Sequence, residues 1–280
     1  MDSLVSTDWL EAELGAGDLR ILDATLFLPG MNRDARAEYE AAHIPGAAYF
    51  DIDEIADSDN PVPHMFPPAH KFASRMQALG VGDGNRIVVY DNSPLHTAAR
   101  AWWMLRSFGA RHVSILDGGL QKWLAEGRPI ESGDQPQRQD HFSASLDRRA
   151  VVDKAFMLGL VGGESHVVAD ARPAERFTGA AAEPRAGMGS GHIPGSRSLP
   201  QSHFFGADNG FKAGAELKAA FDAAGVDLAK PLVTTCGSGV TACVILFGAH
   251  LLGKQDLQLY DGSWSEWGAD PDTPKAQGEA

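Results

Sequence analysis

Cysteine is scarce in this chain of 280 residues, which contains only Cys236 and Cys243. Two cysteines cannot form a disulfide framework, and their spacing matches no zinc-finger pattern. Long hydrophobic runs are also missing, since the longest, 241–252, contains His250 and is too short to cross a bilayer. Lys and Arg number 24 against 37 Asp and Glu, which gives a net charge of −13. This charge argues against nucleic acid and anionic membranes as partners.

The N-terminal residues do not predict a targeting signal either. Residues 1–13 contain neither a basic region nor an apolar stretch, so no signal peptide is expected. Sparse thiols fit a reducing compartment, and the two features together predict a cytoplasmic protein. The length and the 44% hydrophobic content predict two globular domains of about 140 residues each.

Four landmarks occur twice along the chain, in the same order. The pairs are 21–24 with 168–171, 43–47 with 192–196, 86–91 with 231–236, and 116–119 with 260–263. Their offsets lie between 144 and 149 residues, which indicates an internal duplication.

Each half alternates between two kinds of pattern. Short Val, Ile and Leu runs without polar alternation predict strands buried on both faces. Helices are predicted over 6–14 and 97–108, and another begins at 152–153. The expected fold is α/β, with two similar domains that are each a mostly parallel sheet flanked by helices. The predicted boundaries are 1–130 for the N-terminal domain, 131–148 for a polar linker and 149–280 for the C-terminal domain, whose tail after Gly268 is expected to fray.

The strongest chemical signal lies in residues 236–241, here called the Cys236 loop. A predicted strand, 232–235, precedes it, and the next predicted helix covers 240–252. In a parallel sheet such a turn lies at the carboxyl edge, where ligands bind. Two glycines let successive N–H groups face inward, and the helix N-terminus adds positive potential. The sequence therefore predicts a thiolate nucleophile at Cys236, whereas Cys243 is expected to pack in the core.

Three interpretations of the Cys236 loop stay open at this point. A cysteine phosphatase needs an Arg soon after the nucleophile to hold phosphate, and residues 237–242 contain none. A sulfur carrier needs only the N–H donors, which would also stabilise a persulfide anion. A non-catalytic binding module is the third interpretation, and it predicts that Cys236→Ser leaves function intact.

Three motifs resemble those of a known family. Residues 39–47 resemble the N-terminal rhodanese signature, residues 260–267 resemble the C-terminal one, and the Cys236 loop resembles the active loop of 3-mercaptopyruvate sulfurtransferases. The resemblance covers nearly the whole chain, as a tandem of rhodanese-like domains. It implies a catalytic second domain and a non-catalytic first one, in which Asp91 replaces Cys236 and Pro94 removes an N–H donor.

The resemblance also implies a reaction. Sulfur would move from 3-mercaptopyruvate to a thiol or cyanide through a persulfide on Cys236, with release of pyruvate. Arg176 and Arg185 would bind the donor carboxylate, which matches the Arg fork. The implied sulfur-binding residues are Gly237, Gly239, Val240 and Thr241.

The resemblance further implies a proton relay of Ser238, His64 and Asp53. The relay would supply the proton that the pyruvate enolate must gain. Thiosulfate sulfurtransferase stays open as an alternative, although relatives that prefer this dianion carry basic residues where this chain has Gly237 and Ser238. The expected partners are a small-molecule sulfur donor and a thiol acceptor such as thioredoxin or a low-molecular-weight thiol. No nucleotide, other cofactor or metal is expected, because no glycine-rich phosphate loop follows a strand and the His residues show no metal-binding pattern.

Overall fold

The computed structural model describes residues 1–28, 30–134 and 137–279, which form two compact units. The first unit comprises Met1–Ala56, Pro67–Asp147 and Gly206–Phe211, and the second comprises Asp57–Phe66, Arg148–Phe205 and Lys212–Ala280. Residue 29 of the predicted first domain, residues 135 and 136 of the predicted linker, and residue 280 of the predicted second domain lie outside the described residues. The predicted domain boundaries stay a prediction.

The first unit is built on a parallel sheet. Its strands are β1 (Leu4–Val5), β2 (Leu19–Asp23), β3 (Ala47–Tyr49), β4 (Arg86–Tyr90) and β5 (His112–Leu116). Its helices are α1 (Thr7–Glu13), α2 (Ala35–Ala41), α3 (Ile52–Ile55), α4 (Ala69–Ala78), α5 (Ala98–Ser107) and α6 (Gly119–Ala125). The strand order is β1-β5-β4-β2-β3, with every neighbouring pair parallel.

Local sequence signals account for the element boundaries of this unit. The Ser6 side chain accepts the Trp9 N–H at 3.1 Å, which caps α1 at its predicted start. The last four residues of β4 are buried, as a strand covered on both faces requires. The predicted helices over 6–14 and 97–108 are confirmed to within two residues at each end.

The second unit repeats the arrangement. Its strands are β6 (Val151–Val152), β7 (Val167–Asp170), β8 (Arg197–Ser198), β9 (Leu232–Thr235) and β10 (Leu257–Tyr260). Its helices are α7 (Lys154–Leu160), α8 (Ala174–Thr178), α9 (Gly214–Ala223), α10 (Ala242–Leu251) and α11 (Ser263–Trp267), with a 3₁₀ turn at Gln201–Phe204. The parallel order β6-β10-β9-β7-β8 matches that of the first sheet strand for strand, so the predicted fold class is confirmed. None of the helices in the described ranges is long and apolar enough to span a membrane.

The expectation that the tail after Gly268 frays is wrong for its described part. Ala276 and His192 exchange backbone hydrogen bonds of 2.8 and 2.9 Å. The indole N–H of Trp267 donates to the Pro274 carbonyl at 2.8 Å, and the Thr273 hydroxyl donates to the Trp267 carbonyl at 2.5 Å. The polar composition of the tail therefore supplies hydrogen bonds to the buried Trp267 instead of marking a solvated end.

Candidate active site

Cys236 follows directly after β9, the middle strand of the second sheet. All four residues of β9 are buried, and the Cys236 loop connects the end of this strand to the start of α10. Cys236 is a free thiol and only 2% exposed. Its sulfur therefore lies inside the protein, at the carboxyl edge where parallel sheets bind ligands.

Residues at the start of α11 hold the Cys236 loop in place. The Trp264 N–H donates to the Cys236 carbonyl at 2.9 Å, and the Cys236 N–H donates to the Ser263 hydroxyl at 3.2 Å. The Gly237 carbonyl accepts both the N–H and the hydroxyl of Ser265, at 2.8 and 2.7 Å. The first two carbonyls of the loop are thus directed at α11.

The amide groups of the loop are arranged differently from its carbonyls. Within the described part of the chain, no acceptor is found for the backbone N–H groups of Gly237, Ser238, Val240 and Thr241. Ser238 and Val240 are each only 4% exposed, and Thr241 gives α10 no side-chain cap. Since buried N–H groups are nearly always paired, a group of unpaired donors at a helix N-terminus is suited to bind an anion.

In the corresponding loop of the first unit, backbone N–H groups donate to a side chain of the loop itself. Asp91, which follows β4 as Cys236 follows β9, accepts the Ser93 N–H at 2.9 Å and the Ala98 N–H at 2.8 Å through its two carboxylate oxygens. Burial raises the pKa of Asp91 to about 7, against the opposing effect of these two hydrogen bonds. The side chain of Asp91 therefore accepts one N–H group of its own loop and one at the start of α5.

His64 and Ser238 lie in contact. His64 belongs to residues 57–66 of the second unit, here called the His64 loop, and its Nδ1 lies 2.8 Å from the Ser238 hydroxyl oxygen. Both residues are buried, and the imidazole tautomer decides which group donates. Asp53 lies in α3 of the first unit, so its part in the relay stays a prediction.

A buried charge network, absent from the sequence-based predictions, lies in the second unit. The Arg172 guanidinium binds Asp170 at 2.7 Å and Glu183 at 2.8 Å, and lies 4.4 Å from the centre of the Trp264 ring. Burial alone would lower the pKa of Arg172, but the carboxylates of Asp170 and Glu183 outweigh it and raise that pKa. Asp170, Arg172, Glu183 and Arg176, here called the Arg172 network, balance two positive and two negative charges.

Arg176 connects the Arg172 network to the Cys236 loop. Its Nη2 and Nε contact the carboxylate of Glu183 at 2.5 and 3.2 Å. Its Nη2 also lies 3.2 Å from the place that a Cβ on Gly237 would occupy. A Cβ at 237 would therefore press against the guanidinium, which would have to shift by a few tenths of an ångström. The short distance also means that a cation lies beside the loop.

Arg185 is half-buried, and within the described residues it forms no ion pair or hydrogen bond with the protein. Its charge is consequently available to a ligand, although no contact among the described residues joins it to the Cys236 loop. The residues that sequence reasoning missed are Arg172, Glu183, Ser263 and Ser265. For Ser263 and Ser265 a signal existed, because both lie inside the motif 260–267.

Comparison with known proteins yields a consistent result. The model of the rhodanese-like domain matches residues 6–126 and 156–270. A 3-mercaptopyruvate sulfurtransferase of Rattus norvegicus is 45% identical over 271 residues, which cover 95% of this chain and 91% of that protein. A thiosulfate sulfurtransferase of Cricetulus griseus is 42% identical over 289 residues, covering 99% and 96%.

A solved structure agrees with these relatives. The crystal structure of SseA from Escherichia coli, which has the rhodanese fold, superposes with a TM-score of 0.86 at 38% identity, covering 95% of this chain and all of that one. The duplication, the two matching parallel sheets and the matches in both halves lead to one conclusion. This chain belongs to the rhodanese family and contains one rhodanese-like domain in each half.

Proposed function

We propose that this protein is a sulfurtransferase that moves sulfur from 3-mercaptopyruvate to a thiol or cyanide through a persulfide on Cys236. The observation that carries the proposal is the group of unpaired amides in the Cys236 loop, located where β9 ends and α10 begins. Such donors stabilise both a thiolate and a persulfide anion without a charged side chain in the loop. The rat relative, named for this activity, supports the same assignment.

The first half-reaction forms the persulfide. The Cys236 thiolate attacks the sulfur of mercaptopyruvate, a new S–S bond forms, and the donor C–S bond breaks with its electron pair left on carbon. The resulting pyruvate enolate takes up a proton, and the contact between Ser238 and His64 supports these two residues as its source. The persulfide loses its own proton and remains as an anion beside the loop amides.

The second half-reaction returns the enzyme to its starting state. A thiolate or cyanide attacks the outer sulfur of the persulfide, the S–S bond breaks, and Cys236 leaves as a thiolate. We propose a thiol acceptor such as thioredoxin or a low-molecular-weight thiol, with cyanide as its laboratory substitute. Because the two substrates react in turn, the kinetics are expected to be ping-pong.

The donor carboxylate is assigned to Arg176 and Arg185. Arg176 uses its Nε and Nη2 on Glu183, which fixes the guanidinium beside Gly237. Arg185 has a charge that no described side chain neutralises. We expect Arg185→Ala to raise the KM for mercaptopyruvate about tenfold, the loss of one charge-assisted contact. The matched control is Arg197→Ala, at an exposed arginine of β8, which should leave the KM unchanged.

Thiosulfate sulfurtransferase is the second candidate, because the hamster relative carries that name at 42% identity. Thiosulfate is a dianion, and the Cys236 loop contributes no basic side chain of its own. The ratio of kcat/KM for the two donors, with cyanide as acceptor, separates the candidates. A value for thiosulfate equal to or above that for mercaptopyruvate would overturn the donor assignment.

The covalent intermediate provides the direct test. After treatment with mercaptopyruvate, mass spectrometry should find one extra sulfur atom on the peptide that contains Cys236. Cys236→Ser should abolish this adduct and turnover, while Cys243→Ser should keep both. Retained turnover in Cys236→Ser would favour a different chemistry, including the binding-module and phosphatase interpretations.

We further propose that the first half, with predicted bounds 1–130, is non-catalytic, since Asp91 accepts N–H groups of its own loop and of the start of α5. The linker and second-domain bounds, 131–148 and 149–280, are proposed on the same sequence basis. A cytoplasmic location is supported by two cysteines that both remain free thiols. Fractionation of cells that express the full-length protein tests the location.

A further inference from the structure

Asp261 lies directly after β10 and accepts a hydrogen bond from the His64 loop. Its Oδ2 lies 2.6 Å from the backbone nitrogen of Phe66, and Asp261 is 1% exposed. The bond is charge-assisted, and such bonds are about twice as strong as neutral ones. Phe66 is two residues from His64, so the carboxylate fixes the end of the loop that bears the imidazole.

The His64 loop is closed by its own hydrogen bonds. The Asp57 N–H donates to the Met65 carbonyl at 2.9 Å, and the Asn60 side chain accepts the Val62 N–H at 3.0 Å. His64 has a φ of +62°, in the left-handed region that a residue with a Cβ rarely adopts. A conformation of this kind persists only where surrounding contacts enforce it. Asp261 on one side and Ser238 on the other are two such contacts.

We propose that Asp261 is a positioning residue, which holds the His64 loop so that the imidazole meets Ser238. The inference rests on the proposed function, since it assigns a role to the His64–Ser238 contact. Asp261 acts through the Phe66 amide and touches neither donor nor acceptor sulfur in this scheme. Removing its carboxylate should let the loop leave its strained conformation, which separates His64 from Ser238.

The first unit contains the same contact without a histidine. Asp117, which follows β5, accepts the Phe211 N–H at 2.8 Å. Two residues before Phe211, Asn209 has a φ of +63°. The aspartate contact is therefore a property of the fold that occurs twice, whereas only the second unit uses it to present an imidazole. Asp117 is the natural matched control.

The experiment compares Asp261→Ala, Asp261→Asn and Asp117→Ala in the full-length protein, with mercaptopyruvate and cyanide. We expect Asp261→Ala to lower kcat about tenfold, which is less than the roughly hundredfold rate factor that a general acid contributes. The KM should change less than about threefold. Asp261→Asn should recover most of the rate, because an amide oxygen also accepts the Phe66 N–H. Asp117→Ala should keep the wild-type kcat.

A double-variant cycle decides whether Asp261 acts through His64. In a His64→Ala background, Asp261→Ala should cause no further loss of kcat, since the imidazole it positions is gone. A full tenfold loss in that background, or an equal loss in Asp117→Ala, would overturn the proposal. If Asp261→Ala does not fold, Phe66→Pro removes the amide donor instead and must reproduce the loss.

A readout without turnover separates this inference from the proposed function. Hydrogen exchange at the Phe66 amide should accelerate at least tenfold in Asp261→Ala, and the NMR signals of the His64 ring should move. If wild-type Cys236 gains no sulfur from mercaptopyruvate, the proposed function fails, and these two measurements still test the position of the loop. Unchanged exchange and unchanged ring signals would refute the positioning role whatever the substrate.

Discussion

Replacing Arg172 by threonine should destabilise the second unit more than any surface change. The Arg172 side chain is 1% exposed and binds Asp170, Glu183 and the Gly191 carbonyl, all within 2.8 Å of one of its terminal nitrogens. Breaking a buried pair by removing one partner costs about 3–5 kcal/mol, because the other charge stays buried. Arg172→Thr leaves the Asp170 carboxylate buried without a counter-charge, whereas Glu183 keeps its ion pair with Arg176.

The first unit shows the arrangement that this variant would reach. Thr25, the counterpart of Arg172, donates two hydrogen bonds to the Asp23 carboxylate, from its N–H at 2.9 Å and from its hydroxyl at 2.5 Å. Burial still raises the pKa of Asp23, although the hydrogen bonds from Thr25 oppose it. A threonine at 172 can donate the same two hydrogen bonds to Asp170, which offsets part of the cost, but it carries no charge to balance that carboxylate. We therefore expect a loss of about 3 kcal/mol, the lower end of the range.

Urea unfolding, followed by hydrogen exchange in β7 and β9, measures this loss in the second unit alone. With a slope of about 1–3 kcal/mol per molar urea, the midpoint should fall by about 1–3 M. Arg172→Thr with Asp170→Asn should recover part of the fall, because the buried charge that lost its partner is removed. A fall below about 0.5 M, or no recovery in the double variant, would refute the reasoning.

Two further predictions concern the loops that follow the middle strands. The pKa of Asp91 is raised to about 7, so its contribution to stability is complete below its unfolded pKa of about 4 and is lost as pH rises through 7. Asp91→Asn should therefore flatten the pH dependence of the first unit's urea midpoint between about pH 5 and 8, and an unchanged slope would contradict this. Gly237→Ala places a Cβ 3.2 Å from Nη2 of Arg176, so the KM for mercaptopyruvate should rise about threefold to tenfold while kcat changes less. Steady-state kinetics with cyanide test the second prediction, and an unchanged KM would remove Arg176 from the donor site.

The position of the Cys236 loop could be predicted because its signals are local. The predicted strand over 232–235 coincides with β9, and the predicted helix over 240–252 contains α10. Continuous apolar residues mark a strand covered on both faces, and the Cys-Gly-Ser-Gly sequence interrupts any regular pattern. The duplication then predicts the second sheet from the first.

The Arg172 network could not be predicted in this way. Arg172 and Glu183 lie eleven residues apart, on either side of a helix of five residues. An Arg and a Glu in such segments are usually solvated, and nothing local reveals that both are buried. The contact between Asp261 and Phe66 spans 195 residues, so it depends on tertiary structure alone.

The internal duplication separates what the fold requires from what the chemistry requires. Three pairs of equivalent positions have the same backbone setting in both units but carry different side chains. The shared setting is the end of the middle strand in the first pair, a contact with a buried aspartate in the second, and a positive φ in the third. The pairs are Asp91 with Cys236, Thr25 with Arg172, and Asn209 with His64. A requirement of the fold would act on both members of a pair, because the backbone around them is alike. In the second unit, Cys236 begins its loop, Arg172 reaches that loop through Glu183 and Arg176, and His64 reaches it through Ser238. The differences therefore converge on one loop, and this convergence locates the chemistry independently of any single contact.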